Sequence, residues 1–184
     1  MATTKEDWLD AGLKVLAEEG SPALTIERLT TELGLSKGSY YHHFKGTGGF
    51  RTALLEYFEK QFTTRLIDTV ERRPEADAAT KLAKLLDLVL ADSDSVQLEI
   101  AVRAWALQDP EARLAQERVD RARTAYLQEL CRGISSVKEP DQLARLLYLI
   151  LIGAEQVVPP MKGAELRALY ATTLTLATGE PFLT

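Results

Sequence analysis

Apolar residues recur three and four positions apart along most of this chain, and the period-two alternation that marks strands is absent. The pattern predicts an all-helical protein. A first helix is expected over Lys5–Glu19, with Thr4 and Asp7 at capping-box spacing and Gly20-Ser21-Pro22 as its stop. Thr25 caps a short second helix whose apolar face is Ile26, Leu29 and Leu33, and Gly34 supplies a left-handed end. Leu35 plugs the turn, and Ser36 caps a third helix in which Tyr40 and Phe44, four apart, share the inward face. A long fourth helix starts at Thr47 or Gly48 and runs to about residue 72, before Pro74, with a glycine-rich and therefore soft start. Further helices are expected over 76–91, from between Ser93 and Ser95 to 108, from Pro110 to near Gly133, over 140–157, and over 164–177. Asp109-Pro110-Glu111 is a strong start for one of them, which carries Ala115, Val119, Ala122, Tyr126 and Leu130 as one stripe.

The second and third helices have the spacing of a helix-turn-helix. With Tyr40 and Phe44 turned inward, Lys37, Gly38, Ser39, Tyr41, His42 and Lys45 project outward or lie along the edges, as a major-groove reader requires. Lys37, at the start of the third helix, can donate to guanine O6 or N7. Gly38 lets the backbone approach DNA where a side chain would clash. Thr25, His42, His43, Lys45 and Thr47 suit phosphates, through hydroxyl, cation or helix-N-terminal amide, and the cap Ser36 is counted with the DNA-binding residues.

Composition changes this picture little. The chain has 184 residues and a net charge of −5, which by itself argues against nucleic acid. The distribution points the other way. Residues 33–55 hold no Asp or Glu but include Lys37, Lys45 and Arg51, a local basic face on an acidic protein. The single cysteine, Cys131, has no internal disulfide partner and reads as a buried core thiol. The longest apolar run, 146–154, is far short of the ~20 residues that span a bilayer. With no signal peptide visible, a cytoplasmic location and no membrane partner are expected. Neighbours on a helix point roughly 100° apart, so the adjacent His42 and His43 make a poor metal pair. No metal, cofactor or catalytic set is expected.

The N-terminal ~50 residues resemble the DNA-binding domain of the TetR family of transcriptional regulators. The resemblance rests on Trp8, Ala11, Leu16 and Gly20, on Thr25-Ile26, Leu29 and Leu33-Gly34-Leu35-Ser36, and on Tyr40-Tyr41-His42-His43-Phe44-Lys45. It places Ser39 at a frequent base-contact position and Tyr41 where a thymine methyl or a phosphate is met. The chain departs from the family at Thr30, where Ala is usual. It departs again at Gly46-Thr47-Gly48-Gly49, where a lysine and acidic residues are usual, so that Thr47 stands in the lysine's place.

The resemblance implies a helix-turn-helix domain at 1–46 and a larger helical effector-binding and dimerisation domain at 47–184. It implies a homodimer on a palindromic operator, most often a repressor released by a small-molecule effector. The segment 143–154 is apolar on nearly every face, interrupted by Arg145, and must be covered on two sides. The expected partner face uses Leu146, Leu147, Ile150, Leu151 and Ala154, beside Leu166, Leu169, Tyr170, Thr173 and Leu174 of the last helix. Trp105, Tyr126 and Tyr148, aromatics with polar tips, are the candidate effector contacts. The rival reading is a helical small-molecule-binding or scaffold protein without useful DNA binding, supported only by the unusual Gly46–Gly49 turn.

Overall fold

In the computed structural model, which describes residues 3–92, 95–161, 163–179 and 182, regular structure among the described residues is helical throughout. The helices are α1 (Lys5–Glu19), α2 (Ile26–Leu33), α3 (Lys37–His43), α4 (Thr47–Glu59), α5 (Arg65–Glu71), α6 (Ala78–Ala91), α7 (Ser95–Ala106), α8 (Pro110–Arg132), α9 (Pro140–Gln156) and α10 (Gly163–Thr178). The capping logic read from the sequence holds at α1 and α2. Thr4 Oγ1 accepts from the Asp7 amide while the Asp7 carboxylate accepts from the Thr4 amide, closing the box. Two expectations change. The helical run from 47 to 71 is not uniform, because a π turn at Lys60–Thr64 separates α4 from α5. The helix expected from residue 76 begins at Ala78, where the Asp77 carboxylate accepts from the Thr80 amide at 2.7 Å and fixes the start. The possible start of α7 at Ser93 lies outside the described residues.

The described residues form two compact units. The first comprises Met1–Phe62 with Gln97–Arg118. Its centre is aromatic. Trp8, Tyr40 and Phe50 are fully buried, and Tyr40 meets Trp8 edge-on at 5.4 Å between centroids. Phe44 meets Phe50 edge-on at 5.0 Å, and Tyr40 lies 5.3 Å from Phe44. These contacts pin α3 against α1 and α4, at distances where aromatic pairs contribute beyond their buried area. Gly12 allows α1 and α4 to approach, since a Cβ there would sit 2.6 Å from Phe50 Cζ. An ion network of Lys14–Glu32 (2.6 Å), Arg28–Glu32 (2.8 Å) and Arg28–Glu19 (2.7 Å) ties α2 to α1.

In the same unit, Asp109 caps α8 by accepting from the amides of Glu111 and Ala112 at 2.9 and 3.0 Å. The Arg51 guanidinium of α4 lies 5.5 Å from the centroid of the buried Trp105 ring and 3.8 Å from the Asp109 carboxylate.

The second unit comprises Thr63–Val96 with Val119–Thr184. Leu82, Leu86, Leu130, Cys131, Leu147 and Leu174 lie at its core. Helix α9 packs on α10, and α10 also packs on α6. Tyr170 of α10 is buried and its hydroxyl donates to the Leu147 carbonyl at 3.4 Å.

The residues of the expected partner face are divided between the inside and the outside of this unit. Leu147, Ala154, Leu166, Tyr170 and Leu174 are buried in the chain's own core, because α9 and α10 each need an inner stripe to close this unit. Ile150, Leu151 and Thr173 are half-buried. The apolar residues left outward on the two helices include Leu146, Leu149, Leu169 and Leu176.

Candidate nucleic-acid interface

The turn between α2 and α3 is set by Gly34. It adopts φ 64° and ψ 32°, the left-handed region that glycine enters without strain. Its amide donates to the Thr31 carbonyl at 3.3 Å, and the Leu35 amide donates to the Thr30 carbonyl at 3.0 Å. This paired closure satisfies the last carbonyls of α2 and reverses the chain within two residues. Ser36 then opens α3, its Oγ accepting from the Ser39 amide at 3.3 Å.

A helix of only seven residues has little stability of its own. Its position is fixed by two inward side chains: Tyr40 is 0% exposed and Phe44 4%. The Tyr40 hydroxyl donates to the Gly46 carbonyl at 3.4 Å, joining α3 to the turn that follows it. Burial pushes the Tyr40 phenol up to about 12, so it stays a neutral core group.

The opposite side of α3 is open. Lys37, Gly38, Tyr41, His42 and Lys45 are exposed, while Ser39 and His43 are half-exposed. Thr25, Ser36 and Thr47, at the starts of α2, α3 and α4, are exposed as well. The structure therefore brings the sequence-predicted interface residues onto the α2–α3 edge and the start of α4. The His42 and His43 rings meet edge-on at 5.0 Å. Among the described residues, no three His, Cys, Asp or Glu side chains gather as a metal site would need. Helix α4 starts at Gly46, φ 98°, without a side-chain cap and without an acid in its first turn. The open amides of that turn carry the positive end of the helix dipole.

One residue at this edge escaped the sequence reading. Glu27, in the first turn of α2, accepts a hydrogen bond and ion pair from Lys37 Nζ. The two are ten positions apart, and only the Gly34 turn brings them together. The Glu27 carboxyl is held below its ordinary value, mainly by that hydrogen bond, and Lys37 is raised by the same contact.

The candidate effector aromatics are buried with their polar tips engaged. Tyr126 Oη donates to Glu71 at 2.5 Å and Tyr148 Oη donates to Asp120 at 2.7 Å, both within the second unit. Trp105 belongs to the first unit, under the Arg51 guanidinium. An open cleft of about 360 Å³ in the second unit is lined by Ala79, Thr80, Ala83, Ile134, Ser136, Thr178 and Phe182. None of the three aromatics lines it.

Residues 9–54 match the family of bacterial regulatory proteins described as the tetR family. Over 58 residues the chain is 33% identical to an uncharacterised HTH-type transcriptional regulator, YerO, of Bacillus subtilis, covering 32% of this chain and 20% of that protein. Over a stretch of the same length it is 34% identical to the transcriptional regulator AcuR of Cereibacter sphaeroides, again 32% of this chain but 26% of the relative. The match thus spans about a fifth to a quarter of these curated relatives. The fold extends further. A TetR transcription regulator of Haloarcula marismortui superposes with a TM-score of 0.76 at 21% identity, over 95% of this chain and 96% of that one.

Proposed function

We propose that the chain, whose residues 9–54 match the tetR family of bacterial regulatory proteins, is a dimeric, DNA-binding transcriptional regulator, a repressor released by a small-molecule effector. The observation that carries this reading is the two-sidedness of α3. Tyr40 and Phe44 lock one face into an aromatic core, leaving a rigid outward face of Lys37, Gly38, Tyr41, His42 and Lys45. A reading helix needs this division, because its side chains must meet base edges from a fixed register.

In this reading Lys37 and Ser39 address base edges, and Gly38 allows the backbone close to the groove floor. Tyr41 meets a thymine methyl or a phosphate. Thr25, Ser36, His42, His43, Lys45 and Thr47 hold the backbone of the duplex, the last beside the open amides of α4. Residues 1–46 act as the reading head, and 47–184 bind the effector and hold two chains together. The outward stripe of Leu146 and Leu149 on α9 and of Leu169 and Leu176 on α10 supports a second copy as partner, so that two heads address the halves of a palindrome. Tyr126 and Tyr148 in the second unit, and Trp105 in the first, remain the proposed effector contacts. For the tyrosines, an entering ligand would compete with Glu71 and Asp120 for the hydroxyls.

The test is titration against duplexes tiled across the DNA upstream of the protein's own gene. Lys37→Ala is expected to cost about 1–3 kcal/mol on the preferred duplex and to relax preference at one base pair. Lys45→Ala is expected to weaken binding to all sequences and to flatten the salt slope by about 1. Unchanged affinity and preference in both variants would show that α3 does not read DNA.

A further inference from the structure

We propose that Glu27 is a specificity-determining residue of the DNA interface: its carboxylate occupies Lys37 in the free protein and yields it to a matching base edge more readily than to phosphate alone. This inference rests on the DNA-binding reading above and adds to it a role for an acidic group on a face that otherwise carries bases and hydroxyls.

The geometry supplies the argument. Lys37 is the first residue of α3, and Glu27 sits in the first turn of α2, on the same edge as the Thr25 cap. Their side chains are joined Nζ to Oε1, with 59% and 68% of their surfaces still exposed. The contrast with Glu32 on the same helix is informative. Glu32 is bracketed by Lys14 and Arg28, and its side chain is only 19% exposed, so it serves the packing of α2 on α1. Glu27 bridges α2 and α3 only at their exposed edge. It spends its charge on the one lysine best placed to donate to a base.

An exposed ion pair is weak and exchangeable, since both partners remain hydrated and screened. Lys37 can therefore leave Glu27 when another acceptor is offered. Two kinds of acceptor compete for it on DNA. Guanine O6 and N7 are neutral acceptors in fixed positions that can replace the carboxylate bond. Phosphates attract any cation regardless of sequence. While Lys37 stays paired, it releases no counterion from DNA, and the unpaired Glu27 charge would repel the phosphates. The repulsion acts on any duplex, but the withheld lysine falls most heavily on sequence-independent binding, which is almost wholly electrostatic and offers no base edge in return. Glu27 thus raises the ratio of specific to non-specific affinity by penalising the wrong site.

The experiment measures anisotropy of two labelled duplexes of equal length across a salt series. One is the preferred duplex from the upstream tiling and the other a scrambled sequence of the same composition. For E27Q, affinity for the scrambled duplex is expected to rise several-fold, with its salt slope steeper by about 0.9, the value for one further phosphate contact. Affinity for the preferred duplex rises less, so the specificity ratio falls. In a Lys37→Ala background the same substitution is expected to act equally on both duplexes, leaving the ratio unchanged. Glu27 is exposed and Gln keeps the helical side-chain length, so all three variants remain folded by circular dichroism. If E27Q in the otherwise native chain shifts both duplexes by one factor, or neither, Glu27 has no discriminating role, while the DNA-binding reading stands on the wild-type preference. If the wild type does not distinguish the duplexes, the DNA-binding reading itself falls, and this inference with it.

Discussion

Single residues here differ in how far the sequence alone reveals them. Gly34 and Ser36 are legible because their roles are local: a left-handed helix end and an N-cap each depend on neighbours two or three positions away. Gly12 is the opposite case. In the middle of α1 a glycine reads as a weak point, and only the packing of α4 explains it. Its missing Cβ is the space filled by Phe50 Cζ at 2.6 Å and Leu54 Cδ1 at 3.0 Å. Phe50 is fully buried and touches both Tyr40 and Phe44, so it has nowhere to retreat. Overpacking of this kind costs about 1–3 kcal/mol, more than the ~1 kcal/mol that alanine gains over glycine in a helix. Gly12→Ala should therefore lower stability. Denaturant titration checks the sign, and a variant more stable than the wild type would show that α1 and α4 can slide apart without loss. Glu27 escaped for a related reason. Nothing in a sequence says that positions 27 and 37 meet until the Gly34 turn is built.

At the scale of elements, the helix starts were legible at the caps Thr4, Thr25, Ser36 and Asp109, whereas the Asp77 cap was missed by two residues. The π turn at Lys60–Thr64 was not, since one extra residue per turn shifts the apolar period too little to register over so short a stretch. It brings Thr63 into the interior, where its hydroxyl accepts from Arg123 Nε at 2.9 Å. The same caps and ion pairs predict how the protein responds to acid. Hydrogen bonds from Lys14 and Arg28 hold Glu32 below its ordinary value of 4.5, and backbone amides hold Asp7, Asp77 and Asp109 below 3.8. Each carboxyl is more acidic folded than unfolded, so at low pH the unfolded chain binds more protons. Their stabilisation is complete above the ordinary values and is lost as pH falls through the lower, folded ones. Melting temperature should thus be flat near neutrality and fall below about pH 4.5. E32Q should lower the neutral-pH melting temperature and shallow the acid fall. A profile for E32Q parallel to that of the wild type would exclude Glu32 from the acid response.

For the whole molecule, the sequence showed that the segment 143–154 needs cover on two sides, but not which residues face which side. An all-round apolar helix has no moment to orient it, so the inward choice is made by its neighbours. In the structure α10 takes the side of Leu147, which is 1% exposed, and leaves Leu149 at 65%. That division lets two substitutions, two residues apart, be told from each other. Leu147→Glu buries a charge without a partner in the chain's own core and should unfold the protein. Leu149→Glu places the same charge where the single chain tolerates it, and should keep helical content by circular dichroism. If α9 carries the seam between two copies, Leu149→Glu would instead desolvate two like charges across the interface and split it. Sedimentation velocity at micromolar concentration should then give a dimer for the wild type and a folded monomer for Leu149→Glu. The monomer should also bind the preferred duplex far more weakly, because the second half-site no longer adds its effective concentration. A wild type that sediments as a monomer without DNA, or a Leu149→Glu protein that remains dimeric, would move the seam away from the outward face of α9.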